Sequence, residues 1–237
     1  MHDLGSCVFE TAMKPLEAFR LTERRRGLLR SARGRVLEVG AGTGANLPFF
    51  RFSDIEEVVL TDRDLTPVIR RRARKLRRHA ADAGARLTLV EAAVERLPFP
   101  AGSFDCVVAT LVFCTVRDQE AALAEVRRVL RPGGLLLFIE HVRPPQPALA
   151  RLFGLVNPAW GLLAGGCNLT RDTLGALRGI GLPPAKVGRF GRGIFTHGVA
   201  TAGPVLCGSP GSFSTRGRAP ATESAESIRR AGRHRQR

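Results

Sequence analysis

The sequence has no tyrosine, a single tryptophan and only 6% aromatic residues. That scarcity argues against the stacked aromatic platforms that hold single-stranded nucleic acid. Its five cysteines, Cys7, Cys106, Cys114, Cys167 and Cys207, are odd in number and form no CxxC pair. A disulfide framework and a zinc site are therefore not expected; reduced thiols in a cytoplasmic setting are. No run approaches the roughly 18 apolar residues of a membrane-spanning helix. The opening stretch MHDLGSCVFETAMKPLEAFR lacks the apolar centre of a secretory signal. Acidic residues are few, 21 against 37 basic ones, which gives a formal net charge of +16 carried almost wholly by arginine. Such a field suits phosphate or carboxylate partners, and an anionic membrane surface or a nucleic acid could respond to it. The charge is scattered over several elements, however, so a solvated basic surface is the simpler reading.

What is present is a chain of 237 residues, 44% hydrophobic, enough for one α/β domain with a real core. Residues 8–33 read as helical, with Leu16, Phe19, Leu21, Leu28 and Leu29 as an apolar stripe and Arg24, Arg25 and Arg26 outside it. Short apolar runs then alternate with helical periodicity. Strands are expected at 35–39, 56–62, 86–91, 104–110 and 135–140, with a helical turn at 45–52 and helices at 65–83 and 118–130. In the 65–83 helix Leu65, Val68, Ile69, Ala73 and Leu76 should face inward, opposite a row of arginines, and Gly84 should cap its end. Pro132-Gly133-Gly134 should stop the 118–130 helix. Residues 144–183 look helical but broken by proline and glycine, and two short strands near 185–191 and 195–202 could complete a sheet. Strands that do not alternate in polarity suggest burial on both faces, hence a doubly wound, Rossmann-like, mostly parallel sheet. The expected organisation is an N-terminal helical segment at 1–33, the α/β domain at 34–202 and a disordered basic tail at 203–237, where Gly, Ser, Pro, Thr and Arg dominate.

The chemistry centres on Gly40-Ala41-Gly42-Thr43-Gly44, directly after the first strand. Three glycines let the backbone turn tightly and approach a ligand at the C-terminal edge of a parallel sheet. The GxGxG spacing departs from the GxGxxG of dinucleotide sites, which weakens a nicotinamide-dependent oxidoreductase reading. Glu38 before the loop disfavours a pyrophosphate and suits a cation such as the amino end of S-adenosylmethionine. Asp62, about 22 residues beyond Gly40 at the end of the second strand, stands where an acidic group accepts hydrogen bonds from a ribose.

On these residues the chain resembles the class I S-adenosylmethionine-dependent methyltransferases, in the branch of the type 11 kind. The likeness is carried by VLEVGAGTG from Val36, LTDRD from Leu60, ERLPFPAGSFDCVVAT from Glu95 and EVRRVLRPGGLLLFIEH from Glu125. Further segments, GANLPFF from Gly44, TLVFCTVRDQE from Thr110, EHV from Glu140 and NPAWGLLAGGCNLTRDT from Asn157, resemble the methyltransferase-like thiol S-methyltransferases. In animals those proteins are membrane-associated, through an N-terminal hydrophobic anchor that has no counterpart in this sequence. The resemblance implies a seven-stranded sheet and S-adenosylmethionine as cofactor, held by Glu38, Gly40, Ala41, Gly42, Gly44, Asn46, Asp62, Arg63, Val94, Glu95, Thr110 and Leu111. The broad group often has an acidic residue two positions before Glu95; Ala93 stands there, and the thiol branch likewise has a small residue.

The other candidates each carry a plainer reading. Thr110 and Leu111 either contact the cofactor or pack. Cys114 is a buried small hydrophobe or part of an acceptor site. His141 is a structural histidine or a base that orients the acceptor. Asn168 caps a turn with Thr170 or lines a pocket, Trp160 anchors packing or walls a pocket, and His197 reads as structural. The expected activity is methyl transfer to a small-molecule acceptor, a thiol sulfur first. Quinone or phospholipid methylation comes second. RNA methylation and non-catalytic S-adenosylmethionine binding follow. No metal is expected, nucleic acid is not a favoured partner, and peripheral contact with an anionic membrane is a further expectation.

Overall fold

In a computed structural model, residues 21–203 are described. The readings for residues 8–20 and for the tail from 204 onward lie outside the described residues.

Helix α1 (Thr22–Leu29) leads into strand β1 (Gly34–Val39). Two short 3-10 helices, Leu47–Phe49 and Phe52–Asp54, follow where a helical turn was expected. Then come β2 (Ile55–Asp62), α2 (Pro67–Asp82), β3 (Arg86–Glu91), β4 (Phe104–Thr110) and α3 (Gln119–Val129). The chain continues through β5 (Leu130–His141), α4 (Pro147–Leu163), α5 (Thr173–Gly179), β6 (Pro184–Phe190) and β7 (Phe195–Thr201). The seven strands form one sheet in the order β3-β2-β1-β4-β5-β7-β6. The first five are parallel, and β7 runs antiparallel to both β5 and β6.

Burial on both faces of the sheet explains the unalternating strands. Val36, Val58, Cys106, Val108, Leu137 and Ile139 pack on one side with residues of α1 and α2. Leu37, Val59, Val107, Ala109, Leu136 and Phe138 pack on the other with residues of α3 and α5. Because side chains alternate along a strand, Glu38 falls on the α1 side with Val36, and Glu140 on the opposite side with Phe138. His141 falls back on the side of Ile139.

Local chemistry sets the helix ends. Thr66 accepts a hydrogen bond from Ile69 N–H ahead of Pro67, and Asp118 accepts from Ala121 N–H, so both helices start on side-chain caps. Gly84, with φ of +82°, ends α2 in the left-handed region as expected.

Three readings are corrected. Arg25 is buried rather than outside the apolar stripe of α1. Val68 is half-buried, beside the fully buried Ile69, because the inward stripe of α2 runs through Ile69, Ala73 and Ala80. Pro132-Gly133-Gly134 does not separate helix from strand: β5 already begins at Leu130, which pairs with Phe104 across an irregularity in the ladder. In the segment expected to be broken by proline and glycine, α4 runs through Pro158 and the interruption before α5 contains Gly165 and Gly166, both at positive φ.

Candidate active site

The order of the strands reverses between the parallel neighbours β1 and β4, and loops leaving the two strands part there. That crevice is where open α/β sheets bind ligands. The glycine loop leaves β1 at this point. Gly42 has φ of +53°, and a side chain added to it would meet nothing within 4 Å, so the loop crest is open. Gly40 has φ of +60°, and a Cβ there would stand 2.6 Å from Val112 Cγ2. Both positions thus require glycine, one for conformation alone and one also for close packing.

Asp62 at the end of β2 is tied to this loop. Its Oδ2 accepts from Gly42 N–H at 2.7 Å, and its Oδ1 accepts from Asp64 N–H at 3.1 Å. Ala41 N–H donates to Thr61 O at 2.9 Å, a second tie between the two strand ends. Behind the loop lies a buried polar network. Asn46 donates through Nδ2 to Glu38 Oε1 at 2.9 Å and to Thr110 Oγ1 at 3.0 Å. Arg25, reaching in from α1, donates through Nη1 to Asn46 Oδ1 at 3.1 Å. Two strand ends and a helix therefore converge on one carboxamide.

Glu38 is fully buried, and its Oε2 has no hydrogen-bond partner among the described residues. Burial pushes its pKa from 4.5 up to about 8, against the pull of Asn46 and Arg25. A buried carboxylate oxygen without a partner is costly unless a donor meets it. The ammonium of an amino-acid-like cofactor would supply that donor, and the open crest at Gly42 leaves room for its chain. The residues present thus fit S-adenosylmethionine, with Glu38 toward the amino group and Asp62 toward the ribose.

The remaining cofactor candidates fall unevenly. Ala41 and Val94 are buried, and Arg63 is exposed beyond Asp62. Glu95 accepts from Arg117 N–H at 3.2 Å, in the loop beyond β4. Leu111 adopts φ of +59°, uncommon for a residue with a side chain. Its N–H donates to Ile139 O at 2.7 Å. The turn that follows hangs on Glu140, whose buried carboxylate accepts from the N–H groups of Val112, Phe113 and Cys114 at 2.9, 3.0 and 3.1 Å. Burial pushes Glu140 up to about 8, and these amides pull the other way.

Next to Leu111 opens an apolar cavity of about 320 Å³, lined among others by Cys114, His141, Phe153, Trp160, Cys167 and Phe195. Three acceptor-side candidates, Cys114, His141 and Trp160, thus meet in one place. Asn168 is not among the lining residues. Its Oδ1 accepts from Thr170 N–H at 2.9 Å and Thr170 Oγ1 at 2.7 Å, which is the turn-capping alternative. Its neighbour Cys167 takes the place in the cavity. His197 packs near Phe190 and Gly188, away from the cavity lining. Sequence reasoning missed Arg25, Glu140 and Cys167. Strand parity from Phe138 could have placed Glu140; nothing in one sequence marks the other two.

In fold and in the layout of its site the chain is similar to class I S-adenosylmethionine-dependent methyltransferase domains. The methyltransferase domain family matches residues 37–138, which run from β1 into β5. A human thiol S-methyltransferase, TMT1A, is 40% identical over 148 residues, 60% of this chain and 57% of that protein. The ubiquinone/menaquinone biosynthesis C-methyltransferase UbiE of Pseudomonas putida F1 is 33% identical over 133 residues, 55% of this chain and 51% of that one. The chain spans somewhat over half the length of the curated relatives it matches. Among solved structures, the [4+2]-cyclase SpnF superposes with a TM-score of 0.62 at 17% identity, covering 78% of this chain and 80% of that one. That likeness concerns the fold alone, and it shows that the fold by itself does not name a reaction.

Proposed function

We propose that the protein transfers a methyl group from S-adenosylmethionine to the sulfur of a small lipophilic thiol. The observation that carries this reading is the apolar cavity beside Thr110–Leu111, whose polar groups are two thiols, an imidazole and an indole N–H. When bound, the cofactor supplies an activated methyl group for in-line displacement. The protein's share is alignment and exclusion of water. Thr110 joins the two halves of the site, since its hydroxyl binds Asn46 behind the glycine loop and its neighbour Leu111 walls the cavity. A thiol ionises near pH 8.5, so one imidazole in the cavity suffices to take its proton.

Identity to the thiol S-methyltransferases supports a sulfur acceptor, and similarity to UbiE supports a quinone as the second reading. A cavity of about 320 Å³ lies at the small end of ligand-site volumes, which favours a small thiol over a prenylated ring. The test is a methyl-transfer screen with alkyl and aryl thiols, demethylquinones, phospholipid and RNA. Turnover with thiols is expected; turnover with another class and none with thiols would overturn the reading.

We also propose that the protein rests on anionic lipid through α4. Among the described residues, five of the six exposed large hydrophobics lie on this helix, including Leu155 at 81% and Leu162 at 88%. Exposed Arg143 and Arg151 adjoin or belong to it, and no Asp or Glu occurs between Glu140 and Asp172. An apolar face with basic neighbours suits an anionic bilayer. Val156 both lines the cavity and is 42% exposed, so a lipophilic acceptor could enter from that side. Co-flotation with phosphatidylserine vesicles, lost in Leu155→Glu/Leu162→Glu, is the expected result. Equal flotation of the double variant would sink the idea.

A further inference from the structure

The partner of His141 was not among the sequence candidates. Its Nδ1 lies 4.0 Å from the sulfur of Cys167. The ring is clamped as well, stacked against Phe153 at 6.1 Å and meeting the edge of Phe195 at 5.2 Å. With Nδ1 committed to sulfur, Nε2 is the ring's other proton site.

Cys167 is itself held firmly. Its N–H donates to Ala164 O at 3.1 Å, and the next amide, of Asn168, donates to Cys114 O at 2.7 Å. Cys114 and Trp160 pack with Cys167 in one small cluster. Cys167 is therefore set among three side chains, with the His141 ring against its sulfur and Cys114 and Trp160 packed around it. These neighbours draw the Cys167 thiol down to about 5, Cys114 contributing most, against the opposing effect of burial.

We propose that Cys167 is the positioning residue of the transfer, fixing the His141 ring through Nδ1 and balancing the charge the ring gains when Nε2 takes the acceptor's proton. The role matches that of a carboxylate behind a catalytic imidazole, with a thiolate in its place. In the step, the acceptor S–H bond breaks, its proton goes to Nε2 and the electron pair stays on sulfur. That sulfur forms the new bond to the methyl carbon. The old carbon–sulfur bond breaks with its pair remaining on the donor sulfur. The proton then leaves His141 for solvent.

The titratable and charged groups around the pair come from several elements. Cys114 follows β4, and its thiol is raised, first by its neighbour Cys167 and then by burial. Glu140 on β5 is engaged by the amides of Val112, Phe113 and Cys114. The Arg171 guanidinium donates to the carbonyl of Phe113. Helix α4 and β7 contribute the uncharged Phe153, Trp160 and Phe195.

This inference rests on the thiol-methylating reading, and the test separates the two. Rates with an alkyl thiol are measured against pH for the wild type, Cys167→Ala and Cys167→Asp. We expect Cys167→Ala to lose about 10–100-fold in kcat, with KM within about twofold and the acid limb of kcat/KM moved to lower pH. Cys167→Asp, which restores an anion, should recover part of both. An unmoved limb, or an unchanged kcat, overturns the role while leaving thiol transfer intact. A wild type without thiol turnover overturns both. A second measurement needs neither donor nor variant folding. Alkylation of Cys167 in the wild type by iodoacetamide, mapped by mass, should stay fast well below pH 7. Titration near pH 8.5, as for a free thiol, overturns the proposal, as does a methyl group found on Cys167 after incubation with donor.

Discussion

The amide of Gly42 donates to Oδ2 of Asp62 at 2.7 Å, so one carboxylate ties the end of β2 to the crest of the glycine loop. The same carboxylate is the group proposed to meet the ribose. Its loss should therefore cost twice: the loop loses an anchor and the cofactor loses an acceptor. Hydrogen bonds to a charged group are worth about 1.5–3 kcal/mol. Asp62→Ala should accordingly weaken S-adenosylhomocysteine by about 10–100-fold in calorimetry, and Asp62→Asn by less. Affinity within about twofold of wild type in Asp62→Ala would remove Asp62 from the site.

Glu38 links the site to pH. Its folded pKa is raised, from 4.5 to about 8, chiefly by burial. The carboxyl therefore holds a proton in the ligand-free folded state over a window in which the unfolded chain has lost it. The sign follows: the stability this group contributes is fully present below about pH 4.5 and is lost as pH rises through about 8. Denaturation midpoints of the ligand-free protein should fall over that interval, and Glu38→Gln should flatten the fall. Cofactor binding should respond in the opposite sense, since a bound ammonium favours the ionised carboxylate. S-adenosylhomocysteine affinity should rise from pH 6 to 8 with proton release, read as a buffer-dependent binding enthalpy. A flat profile would mean that Glu38 does not meet the amino group.

Glu140 supports the site through the turn after β4. Its carboxylate gathers three consecutive amides, and the turn it holds carries Cys114 and follows Leu111 at φ of +59°. Glu140→Ala would leave three buried N–H groups unpaired, each costing about 1–3 kcal/mol if nothing replaces the carboxylate. A stability loss of about 3 kcal/mol or more is expected in urea titrations, with lower turnover where the variant still folds. A loss under about 1 kcal/mol would show that water or a backbone shift satisfies the turn.

The contrast between β1 and α1 shows what one sequence can and cannot reveal. A run such as Val36-Leu37-Glu38-Val39 entering glycines is local information: apolar strand, turn, open backbone. It was legible because the residues that make the loop are neighbours in the chain. The same holds for Asp62 at the end of β2. The acceptor side is different. Cys114, His141, Trp160 and Cys167 come from four places and meet only once α4 is laid across the ends of β4 and β5. From the motif GCNLT, side-chain polarity pointed to Asn168, yet the turn it caps faces its carboxamide toward Thr170 and leaves Cys167 in the cavity. Residue type alone does not say which of two neighbours a turn directs inward.

Arg25 is the clearest case of tertiary structure overriding pattern, and it yields a sharp test. By periodicity it shared the outer face with Arg24 and Arg26, and those two are exposed. Arg25 is instead 7% exposed, with its guanidinium on Asn46 Oδ1 at 3.1 Å. Its charge also lowers the pKa of Glu38, opposing the effect of burial. Arg25→Met keeps the length of the stem and removes the charge. Glu38 should then ionise at higher pH still, so the rise of S-adenosylhomocysteine affinity with pH should shift upward by a measurable fraction of a unit. At pH 7 the affinity should fall, by about 10-fold if one charged hydrogen bond is lost. Arg24→Met, on the exposed face, should bind as the wild type does. If Arg25→Met binds more weakly while its pH profile stays in place, Arg25 acts through packing alone. If both variants bind alike, the buried network behind the glycine loop does not tune the site.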